Sequence, residues 1–316
     1  QDMLAEKAID GTFREARRVA KEYVYDLRSK GRISFSDPKE SEVPSIHVVR
    51  KTLPEVWEDT TMAILGVGVL VHTHYDPGFE KGKFESFPSL EATVKMHIEE
   101  PFSEPRFHML FLAGSFGDYK AEMEGVKDHW VLNPGIVVDM IKNNKFDEIK
   151  DYKEWLYSYS QRIRSYPCLD IEAQSKIINQ IQSVINNLVE DPLSRSAQLI
   201  TWDPRFDQND GQFAGVKFDD YHAPCLQRLW FRLVPFKDGY KLNINSNWRS
   251  RDHLKAVPHN IYGLLEGMLE PIRLEIQAAL HAPIVMARYC DDNDSLHIYG
   301  QYLDPNKQGR DAQRYL

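Results

Sequence analysis

The sequence predicts an α+β fold in which helices pack on a mixed, largely antiparallel sheet. Residues 4–30 and 171–189 carry apolar side chains at helical spacing, which predicts two amphipathic helices. Residues 227–235 and 240–247 have the character of strands, and Lys237-Asp238-Gly239 between them predicts a hairpin turn. The sequence contains no internal repeat and no low-complexity linker.

The other elements follow from the same patterns. Strands are predicted at residues 45–50, 92–98 and 198–202, and helices at residues 54–69, 152–163 and 252–280. Pro and Gly residues predict a loop at 75–82 and a run of loops and short helices over 101–150. The polar run Asp291-Asp292-Asn293-Asp294 predicts the turn of a closing hairpin between strands at 284–289 and 295–302.

Composition excludes several classes of protein. The 316 residues include 47 acidic and 39 basic side chains, and the net charge of −8 argues against a general nucleic-acid binder. The longest apolar stretch, residues 61–72, is shorter than the roughly 18 residues of a membrane span. The amino terminus shows no secretory signal pattern. We therefore expect a soluble, cytoplasmic protein that binds neither membrane nor nucleic acid.

The three cysteines, Cys168, Cys225 and Cys290, are too few and too scattered for a disulfide framework or a zinc site with close ligand pairs. Cys225 directly follows Pro224 at the entrance to an apolar strand, where a thiol can project into a cleft. Such a cysteine is a candidate nucleophile when a nearby cation favours the thiolate. A small buried residue is the alternative for a single cysteine.

Two further residues sharpen the nucleophile hypothesis. Arg249 follows the strand paired with that of Cys225, so it can bind an anion near the thiol, although a surface ion pair is the alternative. Asn260 offers a donor and an acceptor together, which match the edge of uracil, although it can also serve as a helix cap. A thiol, a cation and an amide at these spacings can hold and attack an anionic heterocycle.

Four ordered blocks of sequence resemble the thymidylate synthase and pyrimidine nucleotide hydroxymethylase family. They are Ala223-Pro224-Cys225, Arg249-Ser250-Arg251-Asp252, Val257-Pro258-His259-Asn260-Ile261 and Leu296-His297-Ile298-Tyr299. Residues 192–204 and the segment Tyr159-Ser160-Gln161-Arg162 resemble further family segments, so the match covers residues 156–303. The resemblance implies the family's fold, with residues 1–43 as a helical N-terminal extension and residues 44–316 as the catalytic domain.

The resemblance implies a role for each matching residue. Cys225 would add to C6 of a pyrimidine nucleotide, Tyr159 would belong to the proton-transfer network and Asn260 would bind the base edge. Arg249 and Ser250 would hold the phosphate, together with Arg195 reaching across a homodimer. His297 and Tyr299 would hold the sugar hydroxyl. Asp252 would lie near the folate.

The implied reaction is one-carbon transfer from 5,10-methylenetetrahydrofolate to C5 of a pyrimidine nucleoside monophosphate, without a metal. Asn260 favours uracil and Ser250 is compatible with deoxyribose, so dUMP is the preferred substrate. The product is a hydroxymethyl group if the exocyclic methylene accepts water, which we favour, and a methyl group if it accepts hydride. The same motifs are also compatible with a cytidine monophosphate hydroxymethylase and with a non-catalytic nucleotide-binding protein.

The sequence departs from the family pattern at several positions. Leu226 stands where histidine is usual, Trp248 replaces a glutamine, and Ser196 replaces the second arginine of a pair. These departures indicate a divergent member. No segment resembles the one that supplies the family's proton-transfer glutamate. Glu122 and Glu124 are candidates for that role, and we expect both to be solvated helix residues.

Overall fold

The computed structural model describes residues 12–36, 42–73, 87–111, 116–128, 157–169, 175–204, 207–208, 212–213, 216–217 and 223–303. The chain divides into two compact units. The first comprises Gln1–Gly114, Trp248–His259 and Arg288–Leu316, and the second comprises Ser115–Asn247 and Asn260–Ala287. Helices accompany a mixed, mostly antiparallel sheet, which confirms the α+β prediction.

The first unit combines helices with a mixed sheet. Its elements are α1 (Thr12–Ser29), β1 (Ile33–Phe35), β2 (Ser45–Arg50), α2 (Leu53–Val67), β3 (Val69–Val71), β4 (Ser89–Ile98), β12 (Arg251–Asp252), the part of β13 (Ile284–Ile298) that begins at Arg288, and α8 (Gly300–Leu303). The strand order is β1-β2-β4-β13, with β3 beside β4 and β12 beside β13. The β2–β4 and β12–β13 pairs are parallel, and the β1–β2, β3–β4 and β4–β13 pairs are antiparallel.

Local signals fix helix α2 against this sheet. Its amino end is capped because Glu55 accepts a hydrogen bond from the backbone N–H of Thr52 at 2.9 Å. At its carboxyl end Arg17 of α1 donates to the carbonyls of Leu65 and Gly68, at 3.0 and 2.7 Å. The apolar side of α2 packs against β2 and β4, and together they form the buried core of this unit.

The second unit is mainly helical around an antiparallel sheet. Its elements are α3 (Phe116–Glu124), α4 (Tyr159–Arg164), β5 (Tyr166–Leu169), β6 (Ser175–Ile178), α5 (Gln180–Glu190), β7 (Gln198–Ile200), β8 (Gln212–Phe213), β9 (Val216–Lys217), β10 (Leu226–Phe236), β11 (Gly239–Trp248, to Asn247 in this unit), α6 (Ala256–Leu264, from Asn260), a π-helical turn (Leu265–Leu269), α7 (Glu270–Leu280) and the start of β13. The strand order is β11-β10-β7, and the predicted turn joins β10 to β11 with Lys237 at a positive φ of 51°.

Several boundaries match the predictions closely. Strand β2 has the predicted bounds, β10 and β11 exceed theirs by one or two residues, and α2 ends at Val67 instead of residue 69. Helix α1 confirms the described part of the prediction for residues 4–30. The predicted loop at 75–82 lies outside the described residues. The boundary between residues 43 and 44 stays a prediction.

The helix predicted over residues 171–189 is wrong in its first half. Residues Ser175–Ile178 form strand β6, which pairs with β5, and helix α5 begins only at Gln180. The β-branched pair Ile177-Ile178 suits a strand. Asn179 then caps the helix, because its side chain accepts a hydrogen bond from the N–H of Gln182 at 3.2 Å.

The predicted closing hairpin is also wrong. Residues Ile284–Ile298 form one strand, β13, and Asp291-Asp292-Asn293-Asp294 lies inside it beside β4, with a register shift between Asn293 and Leu296. The polar run resembles a turn in sequence, but Asp291 is buried and its carboxylate accepts hydrogen bonds from four side chains. Two of these donors, Trp248 and Arg251, are remote in sequence, and the four together replace the water to which a turn would have exposed the carboxylate.

Candidate functional site

Cys225 lies immediately before strand β10, at its entrance as predicted, and its side chain is half-buried. The backbone on both sides is held in place. The amide of Gln227 donates to the carbonyl of Pro224 at 2.7 Å, and the hydroxyl of Thr201 donates to the carbonyl of Leu226. The thiol therefore projects from a rigid strand end, which is a suitable position for a nucleophile.

Tyr159 opens helix α4 in the same unit as Cys225. Ser158 caps this helix by accepting a hydrogen bond from the N–H of Gln161 at 2.9 Å, and Arg162 ties the helix to the carboxylate of Asp207 at 3.1 Å. Burial, reinforced by the charges of Tyr157 and Cys225, holds the pKa of Tyr159 well above its usual value. The phenol stays protonated near Cys225 and can donate a hydrogen bond to a bound molecule.

Glu122 joins this group, and its predicted solvation is wrong. Its side chain accepts a hydrogen bond from the backbone N–H of Tyr159 at 3.3 Å, and burial raises the pKa of its carboxyl. Glu124, two residues on, is exposed and lies 3.2 Å from Lys120, so the expectation of a solvated residue is confirmed for Glu124. The second unit thus brings a thiol, a phenol and a carboxyl into one neighbourhood.

Glycine spacing on a neighbouring helix explains why Glu122 is enclosed. A Cβ atom at Gly263 would lie 2.9 Å from the backbone of Tyr119, and one at Gly267 would lie 2.7 Å from the carbonyl of Lys120. Only hydrogen at these two positions lets helix α3 approach so closely. The Gly-x-x-x-Gly spacing in the sequence is the signal that could have indicated this contact.

The other two predicted residues of the second unit lie at different depths. Asn260 is 5% exposed, on the part of helix α6 that belongs to this unit. Arg195 is exposed in the segment before strand β7, and its carbonyl accepts a hydrogen bond from the indole N–H of Trp230 at 2.9 Å. The predicted role of Arg195 at a partner subunit's phosphate site stays a prediction.

The first unit holds the predicted phosphate and sugar residues. Arg249 and Ser250 form a two-residue bend between strands β11 and β12, and both are half-buried. The rings of His297 and Tyr299 are in contact, with their centroids 4.5 Å apart. Burial lowers the pKa of His297 to about 4, and its Nε2 has no hydrogen-bond partner among the described residues. A neutral imidazole with an unoccupied ring nitrogen is suited to a hydroxyl ligand.

Asp252 lies beside His297 in the parallel pairing of β12 and β13. One carboxylate oxygen accepts the N–H groups of Leu254 and Lys255, at 2.9 and 3.2 Å, and the other accepts the hydroxyl of Tyr302 at 3.2 Å. Burial is the main cause of a raised pKa for this carboxyl. Tyr302 was missed by the sequence analysis, and its place three residues after Tyr299 on the same side of a turn is the signal for it.

Within the described ranges, no group of three His, Cys, Asp or Glu side chains is arranged as a metal site. No described helix has the length and apolar character needed to cross a membrane.

A family model described as thymidylate synthase matches residues 129–305, which is more than half of the chain. The chain belongs to the thymidylate synthase family. All nine residues predicted for the site lie inside the matched range, and Glu122 lies just before it. The family match therefore does not supply Glu122, which the packing of helix α3 brings to Tyr159.

Several archaeal proteins provisionally named thymidylate synthases are similar to this member of the family. A protein of Methanosarcina acetivorans is 27% identical over 144 residues, covering 45% of this chain and 56% of its own length. One from Methanocaldococcus jannaschii is 33% identical over 144 residues, covering 45% of this chain and 55% of its own. One from Methanosarcina mazei is 30% identical over 132 residues, covering 41% and 49%. The chain thus spans about half the length of these relatives.

Proposed function

We propose that this protein transfers a one-carbon unit from 5,10-methylenetetrahydrofolate to C5 of a pyrimidine nucleoside monophosphate, with dUMP as the preferred substrate. The observation that carries the proposal is the grouping of Cys225, Tyr159 and Glu122 in the second unit of a thymidylate synthase-family chain. Each of these side chains has the chemistry that one stage of such a reaction requires.

The thiol performs the activating step. C5 of uracil is a poor nucleophile, and addition of the Cys225 thiolate at C6 pushes electron density toward the C4 carbonyl and makes C5 nucleophilic. The new C5–C bond then forms with the methylene carbon of the folate. Loss of the C5 proton expels the folate nitrogen from that carbon and leaves an exocyclic methylene. Hydride from the folate, or water, adds to this methylene, and the thiolate leaves C6 as the C5–C6 double bond forms again. The covalent adduct divides one difficult substitution into easier steps.

The proton-transfer steps need groups that can donate and accept protons. The Tyr159 phenol is kept protonated by burial and can donate a hydrogen bond as charge develops on the ring. The raised pKa of Glu122 lets its carboxyl both release and accept a proton. We assign to Glu122 the general acid–base role for which the sequence offered both Glu122 and Glu124 as candidates.

The first unit supplies the groups proposed to bind the ends of the substrates. Arg249 and Ser250 would hold the phosphate, His297 and Tyr299 the sugar hydroxyl, and Asp252 the folate ring. A carboxylate at this position can accept hydrogen bonds from the N–H groups of a heterocycle. Asn260 would bind the uracil edge, and Arg195 the phosphate held by the partner subunit in a homodimer.

The structure weakens the reason for preferring a hydroxymethyl product. That preference rested on the missing glutamate segment, whose role we assign to Glu122, and on departures around the nucleophile such as Leu226 and Trp248. The side chains of Leu226 and Trp248 are completely buried in the described part of the chain. They pack in the interior of the protein, so they give no information about whether water or hydride completes the reaction. The provisional names of the relatives favour the methyl product, dTMP.

Release of tritium from 5-tritiated dUMP in the presence of methylenetetrahydrofolate tests the proposed reaction. The wild-type protein should release tritium, and Cys225→Ser should abolish release while nucleotide binding is retained. Cys290→Ser is the matched control, because Cys290 is a buried thiol of strand β13 and should leave turnover unchanged. Tight binding of pyrimidine monophosphates without any release would instead support a non-catalytic binding protein.

Mass spectrometry of the products separates the possible substrates and products. Incubation with dUMP, dCMP, UMP and CMP identifies the base and the sugar, and the mass added to the nucleotide distinguishes a methyl from a hydroxymethyl group. A product from dCMP or CMP alone would overturn the assignment of uracil to Asn260. A hydroxymethyl product from dUMP would restore the preference that the sequence suggested.

A further inference from the structure

A buried ionic cluster brackets the bend that carries Arg249 and Ser250. Trp248, the last residue of β11, donates its indole N–H to Asp291 Oδ2 at 3.1 Å. Arg251, the first residue of β12, donates from Nη2 to Asp291 Oδ1. One carboxylate therefore binds the residues on both sides of a two-residue segment, and all of these residues belong to the first unit.

The residues that bind Asp291 also contact one another. The guanidinium carbon of Arg251 lies 4.1 Å from the centre of a Trp248 ring, so the two residues that bind Asp291 also contact each other. Tyr289 and Asn293 donate to the two oxygens of Asp291, at 3.0 and 2.6 Å. The backbone of the bend is fixed as well, because the N–H of Ser295 donates to the carbonyl of Arg249 at 3.1 Å.

Stability alone is a poor explanation for this arrangement. The side chains of Arg251 and Asp291 are 1% and 0% exposed, so both charges have lost their hydration. Nε and Nη1 of Arg251 are buried and have no hydrogen-bond partner among the described residues. Buried ion pairs often contribute no more to stability than apolar residues of the same size, and an incompletely bonded guanidinium contributes less. A cluster of this kind defines geometry more than it adds to stability.

We propose that Asp291, Trp248 and Arg251 are positioning residues that fix the Arg249-Ser250 bend in the conformation that binds the substrate phosphate. This inference rests on the proposed function, in which Arg249 holds the phosphate of the nucleotide. The cluster acts through Arg249 and touches neither substrate. Its loss leaves the guanidinium of Arg249 present but incorrectly oriented, and charge-assisted bonds to phosphate depend strongly on orientation.

The first test compares Asp291→Asn with the wild-type protein. Asp291→Asn should raise the dissociation constant and the KM for dUMP about ten-fold, as expected when a charge-assisted hydrogen bond is lost. It should leave kcat within about two-fold of the wild-type value, because phosphate binding precedes the chemical step. Asp59→Asn is the matched control. Asp59 is a buried carboxylate of the same unit that pairs with Arg50, so its loss should lower the melting temperature without changing dUMP affinity.

A double-mutant cycle shows whether the cluster acts through Arg249. If it does, Asp291→Asn should weaken dUMP binding by less than about two-fold in an Arg249→Ala background, because the group it positions is already missing. Equal losses in both backgrounds would overturn the inference. If Asp291→Asn does not fold, Arg251→Lys and Trp248→Phe remove one contact each, and unchanged dUMP affinity in both folded variants would also overturn it.

The same variants separate this inference from the proposed function. If Arg249→Ala leaves dUMP affinity unchanged, the assignment of Arg249 to the phosphate is wrong. If Arg249→Ala weakens binding while folded Asp291→Asn binds as tightly as the wild type, only the positioning role is wrong.

Discussion

The structure shields the carboxyl of Glu122 from water beside the backbone N–H of Tyr159. We predict that Glu122→Gln lowers kcat for one-carbon transfer by about 100-fold or more, the usual loss when a general acid–base group is removed. The affinity for dUMP should be nearly unchanged, because the amide keeps the size of the carboxyl and still accepts the 3.3 Å hydrogen bond from Tyr159. Steady-state kinetics and equilibrium binding measure the two quantities separately.

Glu124→Gln provides the control for that substitution. It lies on the same helix and makes the same chemical change, but its side chain is exposed beside Lys120. Exposed ion pairs contribute little, so activity and stability should stay near the wild-type values. Equal loss of kcat in both variants would show that helix α3 tolerates no change of charge and that Glu122 has no special role.

Burial of Glu122 also predicts a dependence of stability on pH. The pKa of its carboxyl is raised from 4.5 in the folded state, so the folded protein binds more protons than the unfolded chain just above that pH. The contribution of Glu122 therefore becomes less favourable as pH rises from 4.5 through its folded pKa. Glu122→Gln should be more stable than the wild type at pH 8, and the difference should shrink toward pH 4. Urea unfolding at the two pH values measures this difference, and a constant difference would contradict it.

The residues of the site differ in how far the sequence could predict them. Cys225, Arg249 and Asn260 stand in short motifs. The residue types indicated the chemistry of the site, and the order and spacing of the motifs along the chain indicated the family. Glu122 stands in no motif, and its burial depends on glycines some 140 residues later in the chain. The role of Asp291 was hidden for a related reason, since its neighbours in sequence resemble a turn and its partners Trp248 and Arg251 come from another segment.

At the scale of elements, the contact between helix α3 and the π-helical turn holds Glu122 in place. We predict that Gly267→Ala destabilises the protein by about 1–3 kcal/mol, the usual effect of overpacking. A Cβ atom at this position would lie 2.7 Å from the carbonyl of Lys120 and would force helix α3 outward. The variant should therefore also have a lower kcat. Thermal unfolding and tritium release from dUMP measure the two effects. A variant with normal kcat would show that the position of α3 does not matter for turnover.

Gly117→Ala is the control for Gly267→Ala. Gly117 lies on helix α3 itself, and among the described residues outside the adjoining helix backbone no atom lies within 4 Å of the position that a Cβ would take. Alanine is the better helix former, so this variant should be as stable as the wild type or more stable. Kinetics should not change.

The elements themselves were predictable where local pattern and tertiary environment agree. Strand β2 alternates cleanly and was predicted with its observed bounds, and the turn before β11 was indicated by its Asp-Gly pair. The start of α5 and the length of β13 were not predictable, because an apolar stripe continued through Ile177-Ile178 and a polar run interrupted β13. In both places pairing with a distant strand outweighs the local pattern.

At the scale of the whole molecule, the family match and the structure cover different parts of the chain. The thymidylate synthase model matches residues 129–305, whereas helices α1 and α2 and strands β1 to β4 lie before it. These earlier elements are placed by their packing, since α2 covers β2 and β4, and Trp57 of α2 stacks on His253 with ring centroids 5.7 Å apart. Residues before the match thus complete the unit that holds Arg249 and His297.

This packing makes the protein sensitive to acid. Burial lowers the pKa of His253 to about 3 and that of His297 to about 4, from 6.5 in the unfolded chain. Between pH 6.5 and 4 the unfolded chain therefore binds more protons than the folded protein, so stability falls as pH falls. From pH 7 to pH 5 the two residues together should lower the free energy of unfolding by about 4 kcal/mol, about 2 kcal/mol each. Urea unfolding across this range measures the loss.

His253→Gln keeps a polar side chain beside Thr61 but cannot titrate, so it should lose about 2 kcal/mol less than the wild type between the same pH values. His281→Asn, at an exposed residue, should lose as much as the wild type. If His253→Gln loses as much as His281→Asn, the buried imidazole of His253 does not oppose protonation, and the acid sensitivity has another origin.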